Sequence, residues 1–165
     1  MKIYTPDFVY GGIDGTITTM AIIAGSIGAG FSPQVILVLG IANVLADGFS
    51  MGISRYLSAK AERKMGIKGP KPFMAGLMTT ISFILIGLIP LLSFIIAYSA
   101  QVDAGDMQPW IYASYVLTAL AFLLIGSLKS RFTGESPLKA GLETLVVGGI
   151  GAVIAYTVGR LLSGI

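Results

Sequence analysis

The chain contains no cysteine and no histidine, and only one tryptophan. The first two absences remove disulfide frameworks, Cys- or His-based zinc sites, and thiol or imidazole nucleophiles. Charge is also scarce. Asp, Glu, Lys and Arg make up 12% of the 165 residues, where soluble domains average about 25%. A chain so poor in charge cannot cover a water-facing surface, and one that is 55% apolar is not intrinsically disordered. No nucleophile triad, P-loop or dinucleotide fingerprint is present. What the chain does have is long apolar runs, 22 glycines and a mean hydropathy of +0.85.

Five runs are long enough to cross a bilayer as helices, which takes roughly 20 residues each. They fall near 8–30, 34–57, 73–99, 109–130 and 138–162. The expected fold is therefore all-α, a single five-helix transmembrane domain over residues 1–165. Turn-forming residues separate the runs: Gly28-Ala29-Gly30-Phe31-Ser32-Pro33, Gly69-Pro70-Lys71-Pro72 and Gly134-Glu135-Ser136-Pro137. Pro90 lies inside the third run and is expected to kink it. The segment 58–72 reads as a short basic turn. No cleavable signal peptide is expected, because the first apolar run carries Asp7 and Asp14.

The cations set the topology. Arg55, Lys60, Arg63, Lys64, Lys68 and Lys71 flank the second turn, and Lys129, Arg131 and Lys139 flank the fourth. The first turn is uncharged, and the third carries only Asp103 and Asp106. With Lys2, ten of the eleven cations fall on one side and only Arg160 on the other. The positive-inside rule then puts the N-terminus in the cytoplasm and the C-terminus outside. Topology and contact with anionic lipid account for the basic turn and the net charge of +3, so no nucleic-acid partner is expected. Trp110 and Tyr112 read as interface anchors.

Acids inside the spans carry the functional signal. An ionised aspartate at a helix centre costs roughly 2.5–3.5 kcal/mol on insertion scales, so Asp14 and Asp47 together would cost about 5–7 kcal/mol if left unpaired in lipid. They must face an interior path, take up a proton or bind a cation. Asp7 and Asp14 are seven residues apart and share a helix face, while Asn43, Asp47 and Met51 follow at i, i+4, i+8 on the antiparallel second helix. Asp14 is expected near the level between Asp47 and Asn43, and Met51 near the level of Asp7. Gly11, Gly12 and Gly15, and Gly48 and Gly52, have the small-residue spacing that permits close helix approach. Thr18 and Thr19 could add hydroxyls. Such a set of carboxylate, amide and thioether donors suits Mg, Ca or Mn and tolerates later metals such as Fe²⁺.

Simpler roles stand beside these. Asp7 suits the positive end of the first helix, Met51 suits core packing and Asn43 suits an interhelical hydrogen bond. Glu143, about one turn inside the fifth run, reads as structural. Gly148, Gly149 and Gly151 read as packing residues, within the chain or between subunits.

The segment Asp7-Phe-Val-Tyr-Gly-Gly-Ile-Asp14-Gly-Thr-Ile-Thr-Thr19, with Ala24-Gly25, resembles the first helix of the vacuolar iron transporter family. Ala42-Asn43-Val-Leu-Ala-Asp47-Gly-Phe-Ser-Met51-Gly, with Arg55-Tyr-Leu-Ser58, resembles the second. The likeness continues from Ser82 to Pro90 and from Gly134 to Leu161 and covers nearly the whole chain. It implies a homodimeric exporter of Fe²⁺ or Mn²⁺ from the cytoplasm, coupled to protons, with no cofactor and the metal as substrate. The path would run along the first helix between subunits. On this resemblance Asp14 matches the embedded aspartate, Asp7 the acid nearer the cytoplasm and Met51 the methionine of the second helix. Asn43 and Asp47 match positions that line the path, with Thr18, Gly11, Gly15 and Gly48 beside it. The chain departs from plant-type members between the second and third spans, where they carry a long acidic metal-collecting domain and this sequence has a basic turn. So compact a chain suits a prokaryotic cytoplasmic membrane. Two other classes compete: a noncatalytic membrane scaffold or subunit, and an intramembrane phosphatidyltransferase, of whose several-aspartate motif Asp47-Gly48 followed by Arg55 supplies only a fragment.

Overall fold

A computed structural model describes residues 2–102 and 107–164. After a short 3₁₀ turn, the chain forms α1 (Thr5–Gly28), α2 (Pro33–Lys64), α3 (Pro72–Gly87), α4 (Leu92–Ser99), α5 (Gln108–Thr133) and α6 (Pro137–Leu162). α3 and α4 are two halves of one span, so five apolar helices are long enough to cross a membrane. Asp103 and Asp106 lie outside the described residues.

The helix ends follow from local chemistry. Pro occupies the first turn of α1, α2, α3, α5 and α6, where a missing N–H costs nothing. The Ser32 and Ser136 hydroxyls accept from the Val35 and Lys139 amides, at 3.4 and 3.3 Å, and cap α2 and α6. Gly30 and Gly66 take left-handed φ values of 74° and 78°. In that conformation the amides of Phe31 and Ile67 reach back to the carbonyls of Ser26 and Glu62.

Two features differ from the plain reading of the sequence. α2 runs to Lys64, so the first half of the expected basic turn is helix. Ala59-Lys60-Ala61-Glu62-Arg63-Lys64 consists of strong helix formers, and no breaker intervenes before Gly66. At 32 residues α2 is about 48 Å long, more than the roughly 30 Å hydrocarbon layer, so its basic end projects beyond the bilayer core. The third span breaks as Pro90 predicts: α3 stops at Gly87, a 3₁₀ turn covers Ile89–Leu91, and α4 resumes at Leu92.

α1 packs against α3, α6, α5 and α2. α3 lies against both α1 and α2, and α5 pairs with α6. Ile23, Ile36, Val44, Leu91, Phe94, Ala97 and Met107 form one core cluster, with Trp110 packed against its edge. Several buried hydroxyls donate to carbonyls of their own helices: Thr16 to Gly12 O at 2.8 Å, Thr118 to Ser114 O at 2.7 Å and Thr144 to Ala140 O at 2.9 Å. The outer surface is apolar, with Val38, Phe49, Leu124, Val153 and Leu161 all more than half exposed. That surface and the five spans define a multi-pass membrane protein.

Candidate metal path along the first two helices

Asp14 and Asp47 sit midway along α1 and α2, and both are half-buried. The two carboxylates lie within electrostatic reach of each other. Among the described residues neither has a cationic side chain within 4 Å, since the three ion pairs involve other groups. Among the described helical residues they are the two acids outside any ion pair. No three acidic side chains come together among the described residues. A cation held here by one chain therefore has two carboxylates at most and needs neutral donors or water besides.

Neutral donors are close by in sequence and register. Asn43 stands one helical turn from Asp47, and its amide nitrogen is buried without an acceptor among the described residues. It lines a cavity of about 940 Å³ formed by α1, α2 and α6, where Ala21, Gly25, Ala46 and Gly159 are among the small residues that leave the space open. Met51, a turn from Asp47 in the other direction, is half-buried. Thr18 is half-buried and its hydroxyl donates to the Asp14 carbonyl at 2.8 Å. The Thr19 hydroxyl is fully buried and has no partner among the described residues.

Asp7 is in a different situation. It is 7% exposed, and its Oδ1 accepts from Arg55 Nε at 2.5 Å. The same guanidinium donates through Nη1 to Glu62 Oε1 at 3.1 Å, and Ser58 also donates to that oxygen at 3.0 Å. Asp7 Oδ2 is buried with no hydrogen-bond partner among the described residues. The group that reaches Asp7 from α2 is thus Arg55, one turn beyond Met51. The sequence reading places Arg55 among the topology-setting cations and in the segment that resembles the family's second helix, without a part in the path. The signal was available, because Asn43, Asp47, Met51 and Arg55 continue one stripe at spacings of four.

The glycines pack elsewhere than between α1 and α2. A Cβ on Gly11 would meet Ser82 and Thr79, on Gly15 the Phe83 backbone, on Gly48 Phe83 and Ile84, and on Gly52 Thr80 and the Gly76 carbonyl. Gly11, Gly15 and Gly48, expected beside the path, are buried against α3. The small faces of α1 and α2 hold α3 rather than each other. Gly148 lies against the Phe122 ring of α5. Glu143 accepts from Lys129 Nζ at 2.7 Å on the exposed surface.

Comparison with known proteins places this architecture. The model of the VIT family matches residues 5–69 and 64–160. The chain belongs to the VIT family. It is 25% identical over 224 aligned positions to the vacuolar iron transporter of Toxoplasma gondii (strain ATCC 50861 / VEG), covering 96% of this chain and 74% of that protein. It is 25% identical over 218 positions to vacuolar iron transporter 1 of Arabidopsis thaliana, covering 94% and 84%. The vacuolar iron transporter of Centaurea cyanus is 26% identical over 213 positions, covering 91% and 84%. Each alignment is longer than the 165 residues of this chain, so the relatives carry extra residues inside the matched region. The family match divides at 64–69, the turn that follows α2.

Proposed function

We propose that this protein carries a divalent transition metal, Fe²⁺ or Mn²⁺, out of the cytoplasm in exchange for protons, working as a homodimer along a path beside α1 and α2. The observation that carries this reading is the pair Asp14 and Asp47: two half-buried acids in apolar helices, with no cationic side chain within 4 Å among the described residues. Acids so placed are costly unless a cation or proton meets them. The relatives' name, vacuolar iron transporter, supports a metal as that cation. The metal is substrate, and the path needs no cofactor.

In this mechanism a partly hydrated metal ion enters from the cytoplasmic end, where the basic ends of α2 and α5 and the N-terminus lie by the positive-inside rule. It meets Asp14 and Asp47, with the Asn43 amide oxygen and the Met51 thioether as neutral donors. Two carboxylates balance the charge of one divalent ion, and hard oxygens with one soft sulfur give the moderate affinity that release demands. Protons arriving from the far side neutralise the acids and free the metal, because one site does not hold both positive charges cheaply. A second copy would double the acids around the path, which one chain leaves at two. The cytoplasmic membrane of a prokaryote is the proposed location.

Reconstituted vesicles with an imposed pH gradient test the proposal. Metal flux should follow the gradient in the parent and fall at least tenfold in Asp14→Ala. Equal flux in parent and variant would refute the role of Asp14.

A further inference from the structure

We infer that Arg55 is a resident cation of the path: it occupies Asp7 while the path is empty and must transfer to Glu62 before a divalent ion takes Asp7. This rests on the transporter reading above and adds a residue to it. Asp7 is nine-tenths buried, and a charge so placed requires a partner. Arg55 Nε is that partner. The contact uses one nitrogen and one oxygen, not the two parallel bonds that make arginine–carboxylate pairs strongest, and it leaves Asp7 Oδ2 buried with no donor among the described residues. Asp7 is therefore neutralised but not saturated: one of its oxygens is shut off from solvent and lacks a donor among the described residues, so a ligand reaches it only once the guanidinium moves.

The second acid gives the guanidinium somewhere to go. Nη1 already contacts Glu62, which is one-third exposed and fixed by Ser58. Glu62 lies seven residues further along α2 than Arg55, about 10 Å toward the projecting basic end. One side chain thus bridges an inner and an outer acid, and guanidinium has five N–H donors with which to change its share between them. Arg55 is also the next position after Asn43, Asp47 and Met51 on the stripe of α2. The first rung a metal meets is already filled by a tethered positive charge, and a divalent ion displaces it with twice the charge. Arg55 acts here as a positioning residue that sets the metal concentration at which the path loads.

A purely structural tie between α1 and α2 makes a different prediction, namely lower stability with unchanged metal affinity. The test uses the full chain, with Mn²⁺ alone as the probe, measuring the binding constant in detergent together with KM and maximal flux in vesicles. Arg55→Gln should lower Kd and KM for Mn²⁺ by up to roughly fivefold, the scale of one ion-pair contribution, without lowering maximal flux. Adding Asp7→Asn to Arg55→Gln should abolish the gain. Glu62→Gln keeps Arg55 and should raise KM several-fold by holding the guanidinium on Asp7; it serves as the test if Arg55→Gln does not fold. A parent that binds and moves Mn²⁺, with both constants unaltered in Arg55→Gln and Glu62→Gln, overturns this inference alone. A parent that neither binds nor moves Mn²⁺ overturns the transporter reading and the inference with it.

Discussion

The Ser114 hydroxyl of α5 donates to the Pro90 carbonyl across a buried 2.6 Å contact. Proline removes an N–H from the third span and breaks it between Gly87 and Leu92. The hydroxyl from α5 fastens the broken segment to the neighbouring helix. Ser114→Ala should lower thermal stability in detergent by about 0.5–1.5 kcal/mol, the usual net worth of such a bond. No loss of stability would mean that the kink holds without its link to α5.

The crossing of α2 and α3 rests on absent side chains. A Cβ on Gly76 would stand 2.5 Å from the Gly52 carbonyl oxygen, a backbone atom that cannot rotate away. Gly76→Ala should therefore cost about 1–3 kcal/mol by forcing the helices apart. Gly149→Ala is the matched control. Nothing lies within 4 Å of a Cβ there, so this helical glycine should gain up to about 1 kcal/mol on substitution. Melting curves of the two variants should move in opposite directions.

The same glycines mark where sequence reading stops. The turns, the five spans and the kink at Pro90 were legible because glycine, proline and apolar runs act locally. The small-residue spacing of Gly11, Gly15, Gly48 and Gly52 was legible as close packing, but not its partner, since any neighbouring helix satisfies it. The structure gives that place to α3. The continuation of α2 to Lys64 was hidden because charge suggests a turn while helix propensity decides the backbone. Asp14 and Asp47 stood out because acids in apolar helices are costly. Arg55 did not, because a cation near a span end has an ordinary topological explanation, and only three-dimensional register joins it to Asp7.

Stability and transport should diverge at the two path acids. Asp14→Asn and Asp47→Asn each replace a carboxylate that has no cationic partner among the described residues with a neutral amide of similar shape. Relief of that cost should raise stability of the metal-free protein, by at most the roughly 2.5–3.5 kcal/mol assigned to a central aspartate. Each change should also remove most of the extra stability conferred by added Mn²⁺, which measures binding to the folded state. Thermal unfolding with and without the ion reads both effects. Metal-free variants less stable than the parent would show that the acids hold the bundle together.

Glu143 should prove dispensable. Its carboxylate meets Lys129 Nζ at 2.7 Å, but its side chain is 54% exposed, so water screens the pair on one side. Exposed pairs of this kind contribute little to stability. Glu143→Gln should leave stability almost unchanged, and any small loss should shrink further as salt is raised. Metal flux should stay within about twofold of the parent, because Glu143 is tied to α5 at the surface while Asp14 and Asp47 lie on α1 and α2. A tenfold fall in flux with normal stability would instead place Glu143 on the route of the ion or the proton.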